Sequence, residues 1–118
     1  VHIQRSISSW LNNGGRTPPP SAVDVTRTDQ GRVTQFFDHV RSLLTYTVPA
    51  GTVFSCPASF GQAITLISFL AGATVVLQVK IVDSGCVFAS VVGAPQNTYL
   101  QTDSKFTQEL DDLIANPA

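Results

Sequence analysis

A chain of 118 residues fits one domain and can bury a core without help from a metal or a disulfide. A net charge of −1 excludes nucleic-acid binding through bulk charge, and only 13% of residues are charged, about half the ~25% usual for soluble domains. With 43% hydrophobic residues and a surface left largely to Thr, Ser, Gln and Asn, the composition suits β-sheets and packed contacts better than a solitary enzyme.

At the N-terminus, Ile3, Ile7, Trp10 and Leu11 share one helical face, and Asn12-Asn13-Gly14-Gly15 would end that element. Thr17-Pro18-Pro19-Pro20 must be extended, because proline fixes its own φ and restricts the residue before it. Residues 1–22 are therefore expected as an N-terminal arm or linker, ahead of a single β-rich domain over 23–118. Val23 to Thr26 reads as a short edge strand, after which Thr28 or Asp29 can cap a helix. Val33, Phe36, Phe37, Val40, Leu43 and Leu44 form the cleanest helical face in the chain.

Leu44 to Val48 then alternates as a strand does, and Pro49-Ala50-Gly51 supplies a turn into a returning strand over Thr52 to Cys56. Gln62 to Leu70 is apolar and β-branched, Ala71-Gly72 is a tight turn, and Thr74 to Val82 alternates with Val75, Leu77, Val79 and Ile81 on one side. Asp83-Ser84-Gly85 turns the chain into a strand over Cys86 to Val92, which Gly93-Ala94-Pro95 ends. A polar loop follows over 96–103. Asp103 or Ser104 can cap a last helix with Phe106, Leu110, Leu113 and Ile114 on one face, stopped by Asn116-Pro117. Short sequential strands joined by tight turns favour antiparallel pairing. The expected fold class is α+β, mostly β: an antiparallel sheet of about five strands flanked by two helices, with an extended N-terminal arm.

Catalytic vocabulary is sparse. Asp38 and His39 stand near Cys56 in sequence, but neighbours on a helix diverge by about 100° and do not form an Asp–His pair. Asp83-Ser84-Gly85-Cys86 is ordinary hairpin chemistry, and Glu109, Asp111 and Asp112 fall on the outer face of the last helix. No nucleophile elbow, P-loop or dinucleotide-binding glycine loop occurs. No catalytic residue, cofactor or metal is expected, since His2, His39, Cys56 and Cys86 match no zinc spacing. Cys56 and Cys86 are candidates for one disulfide or for two buried thiols. The apolar run over 63–82 is broken by Thr65, Ser68, Gly72, Thr74, Gln78 and Lys80, so no membrane span is expected. A sequence without methionine or a signal peptide suggests a processed product or an excised fragment.

The first fifty residues carry Arg5, Arg16, Arg27, Arg32 and Arg41, whereas the last eighteen carry Asp103, Glu109, Asp111 and Asp112. Arg5 and Arg16 are thus candidates to meet Glu109, Asp111 and Asp112 of a neighbouring copy. The apolar sheet also exceeds what two helices cover, which predicts a homo-oligomer. Nucleic acid would be reached only through the arm.

Two segments resemble coat proteins of picorna-like RNA viruses. Phe36-Phe37-Asp38-His39-Val40-Arg41-Ser42-Leu43-Leu44-Thr45-Tyr46 is similar to that family's short helix running into a strand, with Val40-Arg41-Ser42 in place of its Trp-Arg-Gly-Ser core. Val82-Asp83-Ser84-Gly85-Cys86-Val87-Phe88 through Gly93-Ala94-Pro95 is similar to its last strand, entered by an acidic glycine turn and left by Gly-x-Pro. The likeness covers about a quarter of the chain, and fewer strands fit between the two segments than in the family. It implies a structural role in a virion: capsid assembly, with contacts to other coat proteins or a host receptor. Two other expectations stand beside it. One is an extracellular adhesion or filament subunit with a Cys56–Cys86 disulfide. The other is a small α+β ligand-binding module with a cavity lined by Phe36, Val40 and Leu44.

Overall fold

The computed structural model describes residues 1–8, 22–52, 62–84 and 86–117. In chain order these form β1 (His2–Ser8), β2 (Val23–Thr26), α1 (Gln30–Ser42), β3 (Thr45–Thr47), β4 (Gln62–Ala71), β5 (Thr74–Asp83), β6 (Val87–Val91), β7 (Thr98–Leu100) and α2 (Ser104–Ala115). The seven strands make one sheet in the order β2-β1-β4-β5-β6-β7-β3, with every neighbouring pair antiparallel. The fold is α+β and mostly β.

The register puts one apolar set on a single face. Ile3 lies opposite Ile67, Ile67 opposite Val79, Thr65 opposite Ile81, and Ile81 opposite Ala89, which pairs with Leu100. Both helices lie on that face. Phe36 of α1 sits 5.6 Å from Phe69 of β4 and 5.4 Å from Phe106 of α2, ring centre to ring centre, so three rings tie both helices to the sheet. Phe36 is fully buried, which stabilises the fold by about 1.5–3 kcal/mol on area grounds. Val40, Leu110 and Leu113 complete the helical side of the core. At the β4–β5 turn Gly72 takes φ +62°, a left-handed conformation that costs glycine little.

Helix α1 starts where its cap predicts. The Asp29 carboxylate accepts from the backbone N–H groups of Gly31 and Arg32, and that of Asp103 accepts from Phe106 N–H at the start of α2. Leu43 already has an extended backbone, so Leu44 leaves the helical face expected for it and stands 72% exposed.

Two corrections concern the strands. Residues 2–8 are neither helix nor arm: β1 is an inner strand, paired with β2 on one side and β4 on the other. Ile3 and Ile7 are four apart, a spacing that serves one face of a strand as well as one face of a helix. The boundary expected at residue 22 therefore does not set β1 apart from the sheet. Within the expected polar loop over 96–103, Thr98–Leu100 forms β7, which joins β6 to β3. With β1 and β7 added, the sheet has seven strands where about five were expected. Thr52 is described and belongs to no strand, whereas the rest of the strand expected over Thr52 to Cys56, the proline run and Arg16 lie outside the described residues.

Candidate functional site

Helix α1 meets α2 through a histidine. The His39 Nδ1 lies 2.6 Å from Glu109 Oε1, and its Nε2 lies 3.0 Å from Asp103 Oδ2. Both ring nitrogens face carboxylate oxygens, so only the doubly protonated imidazolium satisfies both. Burial works against that charge, but the hydrogen bonds and negative charges of Glu109 and Asp103 outweigh it and raise the His39 pKa. Asp103 is held below its usual value, first by the Phe106 N–H and then by His39. A histidine engaged at both nitrogens is a strut, with no lone pair to offer as a base.

The arginines near the start of α1 serve the end of α2. Arg27 donates from Nε to the Leu113 carbonyl at 2.6 Å and from a terminal nitrogen to the Ile114 carbonyl at 3.0 Å. These carbonyls end a helix whose last turn contains no basic residue of its own, so Arg27 supplies the cap from another element. Arg32 binds Asp29 at 3.1 Å and Asp112 at 2.8 Å, and it donates to the Asn116 carbonyl at 2.8 Å. Hydrogen bonds from Arg32 and then from Asn116 hold the Asp112 carboxyl below its ordinary range.

The candidate contact residues therefore fall as follows. Glu109 and Asp112 meet His39 and Arg32 of their own chain, so the attraction between the two halves is spent within one molecule. Asp111 is exposed on α2. Arg5 points onto the helical face and donates from Nε to the Thr65 hydroxyl at 2.9 Å. Cys86 is disulfide-bonded, whereas Cys56, the only other cysteine of the sequence, lies outside the described residues. The cavity expected at Phe36, Val40 and Leu44 is not there: the first two are closely packed in the core and Leu44 faces outward.

Two features escaped sequence reasoning. The first is a cleft of about 300 Å³ between the sheet and α2, with Arg5 among its lining residues. The second is the end of the β4–β5 hairpin. The β1 ladder stops at His2↔Ser68 and the β6 ladder at Val79↔Val91, so the hairpin end stands beyond both neighbours. Leu70, Val75 and Val76 are about half exposed there, beside an equally exposed Val92. The signal was present: Gln62 to Val79 contains no charged residue, and Ala71-Gly72 folds that run in half.

Among the described residues, no three His, Cys, Asp or Glu side chains are grouped to hold a metal ion, and no helix is long and apolar enough to cross a membrane. Comparison of the chain with protein-family models, curated proteins and solved structures finds no match.

Proposed function

We propose that this chain is a non-enzymatic structural domain that works by self-association, in the manner of a viral coat protein or capsid domain. The carrying observation is the apolar hairpin end, where Leu70, Val75, Val76 and Val92 form an exposed cluster with no charge between Gln62 and Val79. Exposed clusters of this kind mark contact surfaces, and burial of about 25 cal/mol per Å² rewards their coverage. The engagement of His39 at both nitrogens also supports a structural role, because the best general-base candidate is occupied in holding two helices together.

Light scattering across a concentration series tests the reading. Stable oligomers or large particles are expected, and a monomer persisting at high concentration would overturn it. A second reading, an extracellular adhesion or filament subunit, is favoured by the disulfide at Cys86, since such bonds persist mainly in oxidising surroundings. Electron microscopy separates the two: closed shells favour the coat and open fibres the filament.

A further inference from the structure

The cleft between the sheet and α2 combines an apolar interior with a tethered cation. Its floor is made by Ala63, Ile81 and Ala89, and its wall by Phe106 and Leu110. Two of the floor residues are alanines of the buried face, on the strands either side of β5, and their small side chains leave the space open. Arg5 enters from β1. Its Nε is fixed to the hydroxyl of Thr65, itself almost wholly buried, while its two terminal nitrogens have no hydrogen-bond acceptor among the described residues. A guanidinium held by its Nε presents the remaining N–H groups as a fork, and that fork matches the two oxygens of a carboxylate.

We propose that this cleft binds a small molecule in which one carboxylate, taken by Arg5, is joined to a compact apolar body lying against Ala89, Phe106 and Leu110. The size of the cleft limits the ligand to a short acid. Its charge narrows the class further. Asp83 and Asp111 also line it, so the ligand's negative charge must be confined to the end that Arg5 takes, which disfavours a dianion such as a phosphate ester relative to a monocarboxylate. This site is separate from the hairpin end and stands or falls independently of self-association.

The probes are 3-phenylpropionate and its neutral amide, titrated into the intact chain and followed by calorimetry and backbone amide shifts. The acid is expected to bind about tenfold or more tighter than the amide, the loss expected for one charge-assisted pair. Shifts should centre on Thr65, Ile81 and Phe106. Arg5→Gln should abolish the preference for the acid over the amide. Absence of saturable acid binding to the unaltered chain overturns the proposal. So do shifts centred elsewhere, or an acid preference that survives in Arg5→Gln.

Discussion

Glu109 Oε1 lies 2.6 Å from His39 Nδ1, although seventy positions of sequence separate the two residues. The pair belongs to the charged side of the α1–α2 contact, together with Arg32 and Asp112, and Phe36 with Phe106 is on its apolar side. Its consequence is a stability that depends on pH from both sides. The His39 pKa is raised in the folded state, so its contribution is complete below the unfolded value of about 6.5 and fades as pH rises through the folded value. Asp103 and Asp112 are depressed, so theirs is present above about 3.9 and lost as pH falls through the folded values. Thermal melts over a pH series should show a plateau between these limits. His39→Gln should lower the plateau and remove the alkaline decline that His39 causes, whereas an unchanged alkaline limb would deny the strut its role.

Arg27→Ala is expected to destabilise the protein by about 1–3 kcal/mol, because it strips two carbonyls at the end of α2 of their charged donor. Arg27→Lys should recover only part of this, since a single ammonium does not reproduce the fork that reaches both carbonyls. Urea unfolding of the two variants measures the order. Equal stability of lysine and arginine at this position would show that charge alone, without fork geometry, caps the helix.

Phe36→Ala tests the apolar side. The ring is fully buried between Phe69 and Phe106, and its loss should cost about 3–5 kcal/mol. Denaturant midpoints compared with those of Phe37→Ala give the contrast. Phe37 is only partly buried, packed against Phe69 at 5.1 Å, and should cost less.

Local signals made both helices legible in the sequence. Asp29 and Asp103 stand at the caps, and the apolar period runs through Phe36 and Val40 in one helix and Phe106, Leu110 and Leu113 in the other. The β4–β5 hairpin was equally plain, because Ala71-Gly72 divides two apolar strands. The misreadings have a common physical source. β1 is recognisable only through its partners on both sides, and β7 has three residues whose status depends on β3 and β6. The His39–Glu109 pair and the Arg5 cleft each join segments at least sixty positions apart, and no local period records such a meeting.

The hairpin end gives the last prediction. Leu70→Lys and Val76→Lys place charges on side chains that are 41% and 53% exposed, so each should change monomer stability by about 0.5 kcal/mol or less. If the cluster is covered by a second copy, each lysine buries an unpaired charge in the interface and should weaken association by about tenfold or more. Sedimentation and melting measured on the same samples separate the two effects. A fall in assembled mass with unchanged melting places the contact at the hairpin end. Unchanged mass in both variants would move the contact elsewhere, with β2 and β3, the outermost of the described strands, as the surfaces to probe next.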